Sequence, residues 1–266
     1  MKKIFYIFIS LILISLVTGC VGVTSIGYYK DADKYLVGSQ EYSGELVTLD
    51  VDWVSGTLTL IEDETVDKIT VTEENDLEDD KKVHSYFNDG KLYVKFAKSG
   101  LRASIDSRKK NLEIRYNSLT TLLVTVISGE CKVNKVNAKE LKLAVTSGSF
   151  NAGQVTSDTV KIGITSGKVI IDELSTESLS YSQTSGSCYM TLKKCDEASF
   201  EMTSGRAELE IRDDIATKVV FKKVSGSLKS DKTFTRVGNE YIFGPMDQEV
   251  TSNINFDVTS GTLVIK

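Results

Sequence analysis

The chain has 266 residues, 41% of them hydrophobic and 26% charged, with 19 glycines but one proline (Pro245), one histidine (His84) and one tryptophan (Trp53). This composition supports a sizeable core and excludes disorder, and a lone histidine excludes histidine-rich metal sites and any mechanism needing two imidazoles. A net charge of -5 lacks the basic face that nucleic acid requires.

Lys2 and Lys3 precede an apolar run from Ile4 to Leu16, which has signal-peptide length and is short for a membrane span. Val17-Thr18-Gly19-Cys20 follows. It resembles the bacterial lipoprotein box, an aliphatic residue and two small residues before a cysteine. The resemblance implies cleavage before Cys20 and a diacylglycerol on its thiol. Residues 1–19 are then a disposable lipoprotein signal peptide. The mature chain is exported and lipid-anchored on the extracytoplasmic face of the cell membrane. Losing Lys2 and Lys3 leaves 30 basic against 37 acidic residues, so an anionic bilayer repels the body and the lipid does the anchoring. Residues 20–37, with Tyr28 and Tyr29 near their middle, read as the lipidated N-terminus and a short tether.

From residue 38 onward the chain reads as a repeat. A β-branched residue followed by Ser-Gly occurs eight times, at Gly56, Gly129, Gly148, Gly167, Gly186, Gly205, Gly226 and Gly261. The spacing is 19 residues four times running from Gly129 to Gly205, and the next step is 21. Apolar residues recur seven, five and three places before the glycines and two and four after them, as in Leu141, Leu143, Val145, Phe150 and Ala152, with Gln183 and Lys223 as polar members three places before. Steps of two mark strands with one buried face. The parity change across Ser-Gly marks a corner, where glycine tolerates positive φ and close backbone approach.

The unit therefore reads as two short strands and a bend. It cannot bury its apolar face alone, so units stack with equivalent residues in ladders ~4.8 Å apart. Thr146, Thr165, Thr184 and Thr203 form an outward hydroxyl ladder and the serines beside them another, both structural. The predicted fold is all-β, a single-domain β-solenoid over 38–266 with 19-residue coils, regular over about 120–228 and closed by irregular β caps. In the first irregular stretch Val66–Thr72, Val83–Phe87, Leu92–Phe96 and Leu112–Tyr116 alternate as strands, and Asp89-Gly90 signals a hairpin. Trp53 packs at the N-terminal end. Residues 226–261 form the second irregular stretch.

The mature chain resembles the bacterial "putative adhesin" family of β-strand-repeat domains of unknown function. The resemblance rests on the recurring β-branched-Ser-Gly, the Asp89-Gly90-Lys91-Leu92 hairpin and the closing segment Phe256 to Ile265. It departs from the family's usual pattern at Asn117-Ser118-Leu119 and Gly244-Pro245-Met246-Asp247. It implies an envelope protein and carries over no catalytic or binding residue.

The remaining features have structural readings. Cys131 and Cys188 share the position two after the corner, about 14 Å apart over three coils, and read as core fillers. A Cys188–Cys195 disulfide is a minority alternative in an exported protein. Residues 73–80 (Glu-Glu-Asn-Asp-Leu-Glu-Asp-Asp) lack the glycine of a calcium loop and read as a solvated acidic loop. Gly100 to Lys110, with Arg102, Arg108 and Lys109, reads as an exposed basic loop. His84 reads as exposed decoration.

No catalytic residue, metal or cofactor is expected. The leading function is a non-enzymatic envelope scaffold or interaction surface with an adhesive role. Its partners are the membrane, through the lipid, and a protein or cell-wall polymer. An envelope-stress or signalling accessory protein is the alternative. A carbohydrate-active β-helix enzyme fits less well, because such enzymes have longer three-strand coils and one charged face, whereas here outward positions run Lys142, Lys161, Ser180.

Overall fold

The computed structural model describes residues 23–106, 110–245 and 249–266. The signal segment, Cys20, Arg108, Lys109, Met246 and Asp247 lie outside the described residues. Four strands of 16 residues form the regular body: Glu130–Val145, Ser149–Ile164, Lys168–Gln183 and Ser187–Met202. They run parallel, and residues 19 apart sit side by side, Cys131 against Phe150 and Leu143 against Ile162. Register slips once, where Leu174 pairs Leu192 at a bulge.

Within the first of these strands Cys131, Val133, Val136, Ala138, Leu141, Leu143 and Val145 are buried. The steps are two within each group and three between groups, so the strand turns two corners of its own. The coil therefore has three sides, and the expected unit of two strands and a bend is corrected to three. The third side escaped notice because one of its two inward positions is small or polar: Ala138, Ser157, Thr176 and Cys195 in successive coils. A buried hydroxyl needs a partner, and each finds one at the next corner. Ser157 Oγ donates to the Thr159 carbonyl at 3.0 Å and Thr176 Oγ1 to the Ser178 carbonyl at 3.1 Å. Cys195 Sγ sits 3.7 Å from the Glu197 carbonyl, in the same place.

At both ends the coils leave chain order. Thr48–Trp53 lies between Lys91–Lys95 and Thr121–Val126, and Thr57–Glu62 between Asn111–Tyr116 and Glu130–Val145. Ser252–Val258 lies between Ser187–Met202 and Thr217–Lys223, and Thr262–Ile265 between Arg206–Ile211 and Ser227–Ser230. The corner glycines thus stack in the order Gly56, Gly129, Gly148, Gly167, Gly186, Gly205, Gly261, Gly226. Rungs join them: Glu130 N donates to Gly56 O at 2.8 Å, Lys168 N to Gly148 O at 3.0 Å, Thr262 N to Gly205 O at 2.9 Å and Ser227 N to Gly261 O at 3.0 Å. The 72 residues between Gly56 and Gly129 and the 34 between Gly226 and Gly261 are long enough to build an outer coil and return. Antiparallel strands cover the outer coils: His84–Asn88 and Ile69–Glu73 at one end, Glu240–Phe243 with Phe234–Val237 at the other. Asp89 (φ 47°) and Gly90 (φ 72°) make the tight turn of the first hairpin.

Residues 23–37, expected as a tether, are bound to the N-terminal end. Val23–Ser25 pairs antiparallel with Arg102–Ser104, and Leu36–Val37 with His84–Ser85. Tyr29 N donates to Ser99 Oγ at 3.1 Å and Tyr29 Oη to the Ala97 carbonyl at 3.2 Å. Free backbone edges on the outer coil supply partners that a sequence scan cannot see.

Substitutions at Gly186 and Cys195 test this architecture. At Gly186 φ is 108° and an added Cβ would stand 2.3 Å from the Gly167 carbonyl oxygen. Gly186→Ala should cost at least about 2 kcal/mol from strain and overpacking, against about 0.5 or less for exposed Lys168→Ala; equal denaturant midpoints would refute the corner geometry. Cys195→Ser, which installs the hydroxyl already used at Ser157 and Thr176, should unfold within about 1 kcal/mol of wild type, whereas Cys195→Val should be less stable than Cys195→Ser.

Candidate functional site

The Ser-Gly corners line one edge of the solenoid. Because glycine brings the backbones of successive coils together, they leave a shallow open groove of about 690 Å³ lined by Ser147, Gly148, Ser166, Gly167, Lys168 and their neighbours. A serine becomes a nucleophile only when a base takes its proton. Beyond the groove, two corner serines of the same edge give their protons to the backbone: Ser204 Oγ donates to the Thr184 carbonyl and Ser225 Oγ to the Thr259 carbonyl, each at 3.1 Å. The groove carboxylate, Glu130, accepts from Lys132 at 3.1 Å and from Asn151 at 3.0 Å. What the edge offers is a repeating surface of hydroxyls and backbone groups, with Glu130 and Lys168 as its charged members.

The three described thiols are all free and buried, so the Cys188–Cys195 bond is not formed. Burial pushes Cys188 and Cys195 up to about 12 and Cys131 higher still, which keeps them protonated and unreactive. Among the described residues no group of three or more His, Cys, Asp or Glu stands ready for a metal ion, and no helix is long and apolar enough to cross a membrane.

Charged groups at the N-terminal end depart from their expected exposure. Lys110, placed by sequence in an exposed loop, is fully buried; its ammonium donates to Glu73 Oε1 and, at 2.6 Å, to the Lys81 carbonyl. Glu73 Oε2 accepts from Val83 N at 3.0 Å. Burial pulls the Lys110 ammonium below its ordinary value, and Glu73 offsets part of that pull. His84, expected outside, is buried beside this pair with Nδ1 3.0 Å from the Lys82 carbonyl, and burial lowers its pKa. The rest of the acidic stretch is solvated but tied to lysines, Asp79 to Lys82 at 3.0 Å and Asp80 to Lys98 at 2.9 Å. Trp53 is buried, its ring edge-on to Phe96 at 5.0 Å.

A row of tyrosines also escaped the sequence reading. Tyr29 lies 4.8 Å from Tyr35, Tyr35 5.6 Å from Tyr86, and Tyr86 6.2 Å from Tyr93 between ring centroids. The signal for part of it was present: a two-residue turn at Asp89-Gly90 places Tyr86 directly across from Tyr93.

No curated protein sequence matches the chain. Similar solved structures include a "putative cell adhesion protein" from Clostridium sporogenes, 16% identical, covering 87% of this chain and all of its own, with a TM-score of 0.42. A "putative adhesin" from Bacteroides fragilis is 11% identical and covers 87% of this chain and 97% of its own, with a TM-score of 0.47. A "putative lipid binding protein" from Parabacteroides distasonis is 15% identical and covers 84% and 96%, with a TM-score of 0.44. The Toastrack DUF4097 profile matches residues 55–263. That span takes in the ladder from its first corner glycine to its last, and the chain belongs to the Toastrack DUF4097 family.

Proposed function

We propose that this is a lipid-anchored protein of the cell envelope that works without catalysis, its solenoid serving as a scaffold and adhesive interaction surface. The observation that carries the reading is the outer surface of the stacked coils. Ser204 and Ser225 there donate to backbone carbonyls, Tyr189 donates to Glu210 at 2.8 Å, and carboxylates pair with lysines on the same or the next coil. Glu140 holds Lys142 at 2.9 Å and Lys161 at 3.5 Å, and Glu173 holds Lys193 at 3.4 Å. Such a face presents many similar hydrogen-bonding groups and, among the described residues, no activated one. A three-sided coil is also the outline of β-helix enzymes, so coil shape does not separate the two classes. Side chains do: the register of Lys142 continues through Lys161 to Ser180 and Ser199, which assembles no charged catalytic face.

Metabolic labelling with a palmitate analogue tests the anchor. Wild type should take up label and Cys20→Ala should not; label retained in the variant would sink the lipoprotein reading. Crosslinking on intact cells tests the surface role. Capture of an envelope protein or wall polymer is expected, and recovery of nothing beyond lipid and self would count against it.

A structural His84 has a pH signature. Burial holds its folded pKa below the ordinary histidine value of about 6.5, so the unfolded chain binds its proton first as pH falls. Its contribution is full above about 6.5 and is lost as pH drops through the folded value. Between pH 7 and 5 the denaturant midpoint should fall more for wild type than for His84→Gln; identical losses would exclude this role.

A further inference from the structure

We infer that the N-terminal end of the solenoid rests on the bilayer, with Tyr28, Leu36 and Val37 entering the headgroup layer beside the tyrosine row. The inference rests on the lipid-anchor reading and adds an orientation to it. Val23–Ser25 begins three residues after Cys20 and is held against Arg102–Ser104. Three residues span at most about 10 Å, so an acylated Cys20 keeps this end of the body at the membrane surface.

The surface it brings there is suited to an interface. Large exposed hydrophobic side chains among the described residues lie at the two ends of the solenoid. Tyr28, 92% exposed, Leu36, Val37 and Val47 are at this end, and Val224, Phe234 and Val237 at the other. Next to Leu36 stands the row Tyr29, Tyr35, Tyr86, Tyr93, with Lys34 Nζ 5.9 Å above the Tyr86 ring and Lys91 Nζ 4.4 Å above Tyr93. Amphipathic rings and lysines on apolar stems are the side chains that settle at the boundary of water and lipid. Neighbouring acids are partly neutralised, Asp31 by Lys34 at 3.0 Å and Glu41 by Lys68 at 2.8 Å. Asp33 and Glu45, exposed on the same end, make the contact one for a weakly charged bilayer. A patch this small needs little affinity of its own, because the anchor supplies a high effective concentration.

The test uses the full lipidated chain in vesicles of phosphatidylcholine carrying a headgroup quencher. A fluorophore is placed at Lys30→Cys or, at the far end, at Lys229→Cys; the native thiols of the body are buried. Quenching is expected at residue 30 and not at residue 229. In the Lys30→Cys background, Tyr28→Ser with Leu36→Ser and Val37→Ser should lose most of the quenching while the protein still sediments with vesicles and keeps its circular dichroism. Unchanged quenching in that serine variant, or equal signals at the two sites in sedimenting protein, would overturn the docking and leave the anchor standing. Protein that fails to sediment would overturn the anchor reading beneath it.

Discussion

The body of this molecule follows from one repeated contact, the backbone hydrogen bonding that sets residues 19 apart side by side. Parallel strands at ~4.8 Å leave no freedom of register once one rung is set. Identical positions must then stack on one another, and each inward column must be filled from coil to coil. The column through Ile162 continues as Tyr181, Phe200, Phe256 and Phe221, with Phe200 and Phe256 stacked at 4.2 Å. One polar intruder is fully engaged. Gln183, buried in the column of Val145 and Ile164, accepts the Tyr181 hydroxyl and donates to the Ser204 and Gly186 carbonyls at 2.7 and 3.1 Å.

The ladder needs an end, and at the N-terminal side the rung below Gly56 is taken by Lys110, whose carbonyl accepts from Thr57 N at 3.0 Å. Its side chain then turns inward to Glu73, 5.0 Å from the Phe96 ring centroid. A buried pair of this kind adds little net stability, since desolvation offsets attraction. It does fix a geometry: Glu73 also holds Val83 N, and Lys110 also holds the Lys81 carbonyl. The pair locks the acidic segment and the hairpin after it onto the outermost coil.

The body of the fold was legible because its signal repeats. Gly129 to Gly205 keep one spacing, the apolar positions flanking them keep one parity, and Asp89-Gly90 carries its own turn. The third side was not legible, since Ser157, Thr176 and Cys195 look like loop residues until their hydroxyls and thiol are seen reaching the next corner. Stacking order was not legible either. Period and parity say that Gly261 is a corner, and nothing in them says it sits between Gly205 and Gly226. Burial of His84 and Lys110 depends on long-range cover from residues 36–37 and 73–83, which local pattern does not encode. Of the candidate surface, the hydroxyl ladder was legible and the tyrosine row, assembled from three separate segments, was not.

The interposed coils govern how the chain can reach this state. Thr217–Lys223 and Ser227–Ser230 are synthesised before the strands that join them to the body, Ser252–Val258 and Thr262–Ile265. Until those residues emerge, the sheet edge formed by Glu197–Met202 and the outer side of Arg206–Ile211 has no native partner, and the coil that follows it in sequence must wait or pair out of place. An edge left open while the chain is still being made is a site for mispairing and aggregation. The closing segment therefore acts as a keystone. Its loss would open a slot inside the stack rather than shorten it, and completion of the solenoid is tied to arrival of that last strand.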